Sequence, residues 1–194
     1  MLASLSSRNV TKLSWWTELG TQPINLGEHL LAHGLTYEHG APGMAVDLLE
    51  LKEVSMPSEL KIKRVDDEET LRAFVHSASI GFGFTGPSES VCFDLFAGLG
   101  FELPLSNYVG YISGKPVATS ELFLGAGVVG IYWVSTVPEV RRRGIGSAMT
   151  QTPLQEAREL GYRVGILHSS AQGVDVYRQL GFVEYCQMSH YVWE

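Results

Sequence analysis

The chain has 194 residues, 45% of them hydrophobic, which is enough for one α/β domain and a smaller appendage. No apolar run reaches the roughly 18–20 residues of a membrane span, and residues 1–16 lack the apolar core of a signal peptide. The net charge of −7 argues against nucleic acid as a partner, and two cysteines far apart in the sequence predict a cytoplasmic protein without disulfides.

The N-terminal region predicts a short strand and a helix. Adjacent Trp15 and Trp16 would point to opposite faces of a strand, so at least one of them should pack against the protein. Asn25 and Glu28 have the spacing of a capping box, and Gly34 would end the helix that follows.

Three histidines of this region have a spacing that suits a metal ion. His29 and His33 are four residues apart and would share one helix face, with His39 a few residues further on. No cysteine or carboxylate has a fixed place beside them, so an ordinary exposed helix surface is the favoured interpretation. We expect no bound metal.

Residues 36–54 predict a hairpin broken by Pro42-Gly43. The order helix, Gly-Leu, Tyr-Glu and Met resembles the order near the C-terminus, where a helix ending at Leu180 is followed by Gly181-Phe182, Glu184-Tyr185 and Met188. The repetition suggests that residues 1–57 are the remnant of a second, related half. We place the boundary to the main domain, residues 58–194, after residue 57.

The main domain opens with a strand over residues 60–65, in which apolar and basic residues alternate. Asp66 or Asp67 would cap the next helix. A loop rich in glycine and phenylalanine covers residues 81–87, and Ser88 would cap a second helix. The apolar face of that helix would comprise Val91, Leu95, Phe96 and Leu99.

The remaining pattern predicts a hairpin, a buried strand and an alternation of helices and strands. Residues 108–112 and 117–124 would pair around a turn at 113–116, and the buried strand covers residues 128–137. The later elements are a helix ending at Gly161 with a kink at Pro153, a strand over 164–168, a helix through Tyr177 and a closing pair of strands to Trp193.

The junction after the buried strand has the composition of a phosphate-binding turn. Pro138 ends the strand because it has no N–H for the ladder, and Arg-Arg-Arg-Gly-Ile-Gly leads into the next helix. The amides of such a turn and the helix dipole favour an anion, and Gly144 and Gly146 allow a phosphate to approach the backbone. A solvated charge run is the less favoured alternative.

Two motifs resemble those of one family, the GCN5-related N-acetyltransferases (GNAT). Residues 141–146 match its Arg/Gln-x-x-Gly-x-Gly/Ala signature, and residues 176–182 resemble its LYxxxGF signature. The resemblance covers roughly residues 60–194. It implies an α/β fold whose mixed, largely antiparallel central sheet is flanked by helices, to which residues 1–57 add a short α/β appendage.

The resemblance also implies an enzyme that transfers an acetyl group from acetyl-CoA to a primary amine by direct attack in a ternary complex. The pyrophosphate would bind the amides of residues 142–147 with help from the arginine side chains, and the pantetheine arm would follow the end of the central strand. The implied cofactor-binding residues are Ser135, Thr136, Val137, Arg142, Arg143, Gly144, Ile145, Gly146, Ser147, Ser170 and Tyr177.

The family places a general acid at Tyr177, where a phenol can protonate the departing thiolate. Ser170 stands where the family often has Asn, and its shorter side chain weakens that contact. Glu121 is the best acidic candidate for the general base, followed by His168, and an oriented amine could also react without a dedicated base.

The acceptor site is the least specified feature. Phe82 and Phe84 either cover an acceptor or form a satellite core cluster under a loop. The acceptor would be a small-molecule or peptide amine, and the acidic chain favours a cationic one. A monomer and a homodimer are both open. A CoA-binding sensor or interaction module without catalysis is the alternative function; a Rossmann-type binder is disfavoured because the arginines break the glycine fingerprint.

Overall fold

The structure is a computed structural model, and it describes residues 12–84 and 86–194. Contacts divide the chain into two compact units. The first comprises the described residues up to Met44, together with His168–Val174 and Val183–Glu194; the second comprises Ala45–Leu167 and Asp175–Phe182. These limits differ from the predicted boundary after residue 57, which stays a prediction.

The chain alternates strands and helices. In order, the elements are β1 (Leu13–Thr17), α1 (Leu26–Ala32), β2 (Thr36–Asp47), β3 (Leu60–Arg64), α2 (Glu68–Phe82), α3 (Pro87–Leu99), β4 (Leu105–Ile112), β5 (Lys115–Gly125), β6 (Val128–Thr136), a 3-10 helix (Pro138–Val140), α4 (Ile145–Glu159), β7 (Val164–His168), α5 (Val174–Gln179) and β8 (Val183–Trp193).

The strands form an eight-stranded sheet in the order β1-β8-β2-β7-β6-β5-β4-β3. Strands β3 to β6 pair antiparallel with their sequence neighbours, as do β1 and β8, whereas β6 and β7 are parallel. The mixed, largely antiparallel sheet flanked by helices confirms the predicted fold class. Among the described residues, no helix is both long and apolar enough to cross a membrane.

The second unit has helices on both faces of its sheet. Phe74 of α2 and Phe96 of α3 join Val109 of β4 in one buried cluster. On the opposite face, a Cβ at Gly110 would lie 2.8 Å from the Met149 Sδ atom, so the missing side chain lets α4 pack closely on β4. Helix α4 continues through Pro153 as a single element.

Two of the predicted strand pairs are wrong. Residues 36–47 form one strand, β2, that passes through Pro42-Gly43. A Cβ at Gly43 would lie 2.5 Å from the Cys186 Sγ atom, so this glycine permits a close approach and not a turn. The predicted closing pair is likewise one strand, β8, which pairs with β1 and places His190 opposite Trp16.

The helix starts were predicted with mixed success. Asp67 caps α2, and its carboxylate accepts a hydrogen bond from the Thr70 N–H at 2.8 Å, which confirms that cap. Asn25 precedes α1 but makes no side-chain cap hydrogen bond, so the predicted capping box is absent. Ser88 lies inside α3, which begins at Pro87 after Gly86, since a proline tolerates the first helical position.

The predicted apolar face of α3 is only partly buried. Phe96 is 3% exposed, whereas Val91, Leu95 and Leu99 are each more than half exposed. The helix packs through Phe96 with Cys92 and Phe93, which lie on the adjacent side. The i, i+4, i+8 spacing identified an apolar stripe correctly but assigned the wrong side of the helix to the core.

Candidate cofactor and catalytic site

The turn between β6 and α4 leaves several amides without a partner from the helix. Gly144 is the residue before α4 and adopts a left-handed φ of 75°, which glycine tolerates without strain. No described side chain caps α4, and the first four N–H groups of a helix have no partner within it. A Cβ at Gly146 would meet no atom of the described residues within 4 Å. The turn therefore presents donors to open space, as an anion site requires.

The three arginines of the turn have different surroundings. Arg141 donates from Nε to the Thr136 carbonyl and from Nη2 to the Gly81 carbonyl, each at 2.9 Å. Arg143 forms an ion pair with Glu59. Arg142 has a φ of 63° and an exposed side chain. The Arg141 guanidinium thus holds the turn against β6 and α2, and Arg142 and Arg143 stay the predicted phosphate contacts.

One side of β6 is open near its end. The parallel register with β7 covers Val129 and Gly130 among the described residues, although β6 continues to Thr136. An extended ligand can pair with backbone groups of such an edge. The Val137 N–H already donates to the Val117 carbonyl at 2.9 Å, so only the carbonyl of Val137 is left for such pairing.

A β-bulge interrupts β6 just before this open end. Thr119 pairs with Ser135 and Glu121 pairs with Tyr132, so two residues of β6 oppose one residue of β5. Trp133 lies in the bulge with a φ of 49°, and its carbonyl accepts a hydrogen bond from the Thr119 hydroxyl at 2.7 Å. The Ser135 hydroxyl lies 2.8 Å from the same Thr119 oxygen.

The bulged Trp133 is surrounded by phenylalanines. Phe82, Phe84 and Phe96 each meet its ring edge-on, with ring centroids 5.2–6.2 Å apart. Phe82 is still 52% exposed. Phe82, at the end of α2, and Phe84, in the loop that follows, therefore belong to an aromatic cluster on the α2 side of the sheet. Their role in covering an acceptor stays a prediction.

Glu121 lies in a row of polar residues across three strands. Asn107 of β4 pairs with Glu121 of β5, which pairs with Tyr132 of β6, so their side chains share one face of the sheet. This is the α2 face, because Val109, two residues from Asn107, belongs to the α2 cluster.

One member of this row is an acid whose pKa is shifted. Glu121 is 7% exposed, and burial raises its pKa to about 7. Within the described part of the chain, the buried Oδ1 atom of Asn107 has no hydrogen-bond partner. Burial, followed by the Glu121 charge, raises the pKa of Tyr132. A buried carboxyl that titrates near neutrality beside an unpaired acceptor suits proton transfer from a cationic group.

Tyr177 of α5 is buried, and its ring meets Phe182 at 5.9 Å between centroids. Burial raises its pKa to about 12, so the phenol stays protonated at neutral pH and can act as a donor. Ser170 and His168, also predicted for the site, belong to the first unit. Desolvation lowers the pKa of His168, and its ring lies 5.1 Å from that of Trp16.

The family model for the acetyltransferase (GNAT) family matches residues 77–182, more than half of the chain. The chain belongs to the GNAT family. The match includes the turn of residues 141–147, Glu121 and Tyr177. A comparison with curated proteins gives no match.

Solved GNAT structures share this fold at low sequence identity. A GCN5-related N-acetyltransferase from Kribbella flavida has a TM-score of 0.76 and 23% identity over 99% of this chain and 72% of its own. One from Sphaerobacter thermophilus has a TM-score of 0.72 and 17% identity over 96% and 62%. A tandem GNAT protein from the clavulanic acid biosynthesis pathway has a TM-score of 0.68 and 12% identity over 98% and 66%.

Within this GNAT domain, three residues of the site were missed by sequence reasoning. Asn107 precedes the predicted strand of residues 108–112, and its pairing with Glu121 is set by a strand register that one sequence does not reveal. Trp133 looked like a core aromatic, because the bulge is formed by pairing with β5. Arg141 could not be told from the arginines beside it by composition.

Proposed function

We propose that this GNAT protein transfers an acetyl group from acetyl-CoA to a primary amine. The observation that carries the proposal is the uncapped start of α4, where open space at Gly146 adjoins the first-turn amides. A diphosphate placed there would accept hydrogen bonds from the amides of residues 144–147. The exposed Arg142 could add a charge-assisted contact, and Arg143 could do so by leaving Glu59.

The pantetheine arm would follow the open side of β6. Its two amides can form strand-like hydrogen bonds with an edge that lacks a neighbouring strand. Ser135 and Thr136 stay the proposed contacts, while the engaged N–H of Val137 limits that residue to its carbonyl. Ser170 stays a proposed cofactor contact from the sequence motif.

The proposed chemistry moves one acetyl group and releases one proton overall. Glu121 takes a proton from the acceptor ammonium and passes it to solvent, and the neutral amine attacks the thioester carbonyl carbon. The carbon–sulfur bond then breaks, and Tyr177 donates its proton to the departing thiolate. The new amide nitrogen loses its second proton, which returns to the Tyr177 phenolate, so the products are a neutral amide, the CoA thiol and one solvent proton. Asn107 would accept a hydrogen bond from the same amine through its unpaired Oδ1 atom, which orients the lone pair towards the thioester.

The acceptor is proposed to be a small-molecule or peptide amine that enters beside the aromatic cluster of Phe82, Phe84 and Trp133. The chain is expected to work in the cytoplasm, as monomer or homodimer, without nucleic-acid or membrane partners. Its Cys92 and Cys186 are both free thiols. The N-terminal region is proposed to be the remnant of a second GNAT half; the likeness of a tandem GNAT protein over 98% of this chain supports this idea.

The test measures acetyl-CoA binding by calorimetry on the wild type, Gly146→Trp and Gly98→Trp. Both glycines have open space around the Cβ position, so the same side chain can be added at either without disturbing the fold. We expect binding in the wild type and Gly98→Trp, and its loss in Gly146→Trp. Equal binding by all three would refute the site.

Turnover on a panel of amines separates the enzyme from the alternative, a CoA-binding sensor or interaction module. Acetylation that depends on Glu121 and Tyr177 supports the enzyme. Binding of acetyl-CoA with neither acetylation of an amine nor slow hydrolysis of the thioester would favour the sensor. Burial raises the pKa of Glu121 to about 7, and this favours catalysis, since CoA binding alone does not require a carboxyl that titrates near neutrality.

A further inference from the structure

A second cluster of ionisable side chains lies in the first unit, apart from the residues proposed for acetyl transfer. Glu38 and His39 of β2 and His190 of β8 each place one ligand atom within 4.8 Å of the others. The Glu38 Oε2 atom lies 2.7 Å from the His190 Nδ1 atom, and 3.5 Å separate the His39 Nδ1 atom from the same oxygen.

These separations suit one small metal ion. Zinc binds imidazole nitrogen at about 2.0–2.1 Å and carboxylate oxygen at about 2.0–2.2 Å, so tetrahedral ligand atoms lie roughly 3.3 Å apart. The two measured separations bracket that value. Two imidazoles and one carboxylate form a three-ligand set that leaves a position for water.

His190 supplies an independent observation. The residue is 9% exposed, and both of its ring nitrogens are buried without a hydrogen bond to any described residue. Its Nδ1 atom lies in an ion pair with Glu38, whereas no described residue pairs with its Nε2 atom. A buried imidazole nitrogen without a partner is costly, and a metal ion bound to the ring would lower that cost.

Trp16 holds the ligand rings in place. Its indole stacks on His190, with centroids 4.3 Å apart and an interplanar angle of 15°, and meets the His39 ring edge-on at 5.6 Å. Because β1 pairs with β8 at this position, the stack is fixed by the sheet register. Side chains locked by packing lose little freedom when they bind an ion.

We propose that Glu38, His39 and His190 bind a divalent transition-metal ion, with Zn²⁺ the best fit to the ligand set. The ion would join β2 to β8 and stabilise the first unit. This proposal differs from the sequence expectation, which grouped His39 with His29 and His33 and expected no bound metal. In the structure His29 lies on α1 and His33 follows its last residue, with the His33 Nδ1 atom 2.7 Å from the His29 carbonyl oxygen.

The experiment uses untagged full-length protein, because a histidine tag would bind the probe ion. After treatment with a chelator, the protein is titrated with Zn²⁺ by calorimetry and with Co²⁺ by visible absorption. Glu38→Gln and His39→Ala remove half-exposed ligands and should leave the fold intact. His29→Ala, an exposed histidine outside the cluster, is the matched control.

We expect one ion per chain, micromolar or tighter binding, and a higher Tm with Zn²⁺ in the wild type and His29→Ala. Loss of a partner outside the ligand shell already costs about 10–100-fold in metal affinity, so Glu38→Gln and His39→Ala should lose at least about 100-fold. No Zn²⁺ uptake by the wild type, or equal affinity in His39→Ala, would overturn the proposal. Acetyl-CoA binding does not enter this readout.

Discussion

Glu121→Gln tests whether a buried carboxyl serves as the base, because the substitution keeps the shape and removes the charge. Burial shifts the pKa from an ordinary 4.5 to about 7. The folded state therefore holds its proton more tightly than the unfolded state, and stability falls as pH rises from about 4.5 to about 7. At 1.36 kcal/mol for each pKa unit, the ionised carboxylate costs about 3 kcal/mol above pH 7.

The variant should consequently be more stable than the wild type at high pH and less active. At about pH 8 we expect its free energy of unfolding to exceed that of the wild type by up to about 3 kcal/mol, and the difference should shrink to less than about 1 kcal/mol near about pH 5. The kcat/KM for amine acetylation should fall by about 10²–10⁴-fold, the usual contribution of a general base.

The assay combines urea unfolding at both pH values with a pH–rate profile. The wild-type kcat/KM should rise with pH and level off above an apparent pKa of about 7. Glu139→Gln, an exposed carboxylate in the 3-10 helix, is the control and should leave both measurements unchanged. A stability difference that is the same at both pH values would refute the buried acid, and full activity of Glu121→Gln would refute the base.

Two further substitutions separate chemistry from packing. Tyr177→Phe should retain the contact with Phe182 and cost less than about 1 kcal/mol of stability. It should lower kcat by about 10²–10⁴-fold and leave the acetyl-CoA affinity unchanged. Unchanged turnover would exclude Tyr177 as the general acid. Gly81→Ala should destabilise by about 1–3 kcal/mol in urea unfolding, because its Cβ would lie 2.6 Å from the Ser135 Oγ atom. Gly98→Ala, with open space, should instead stabilise by about 0.5–1 kcal/mol; the reverse order would contradict the packing.

Local signals predicted the elements of the main domain well. The strand of residues 164–168 was predicted at the limits the structure has, because it is a short apolar run bounded by turn residues. The hairpin of β4 and β5 was also predicted, but its turn is shorter: Lys115 and Pro116 belong to β5, and the loop is Ser113-Gly114. Both loop residues have positive φ, which fits the tight hairpin turns that match strand twist.

Long-range pairing could not be predicted from one sequence. Pro42-Gly43 has the composition of a turn, but its role depends on Cys186, which approaches from the other end of the chain. The row of Asn107, Glu121 and Tyr132 likewise depends on two strand registers and on a bulge between them. Local patterns specify which residues are extended, whereas function at this site depends on which extended residues lie side by side.

Arg141 connects the proposed phosphate turn to the end of α2, and this contact gives a last prediction. Its guanidinium donates to the carbonyls of Thr136 at the end of β6 and Gly81 near the end of α2. Lysine has one ammonium group and cannot make this planar, two-pronged contact. Arg141→Lys should therefore keep the charge but weaken acetyl-CoA binding, while costing about 1 kcal/mol of stability.

Arg142→Lys is the matched control, since Arg142 is proposed to act through its charge alone. If Arg141 fixes the turn, calorimetry should give weaker acetyl-CoA binding for Arg141→Lys and near wild-type binding for Arg142→Lys. If Arg141 acts only as a positive charge near the phosphates, both lysine variants should bind equally well. That result would mean that the turn keeps its shape through the backbone conformations of Arg142 and Gly144 alone, without the contact to α2.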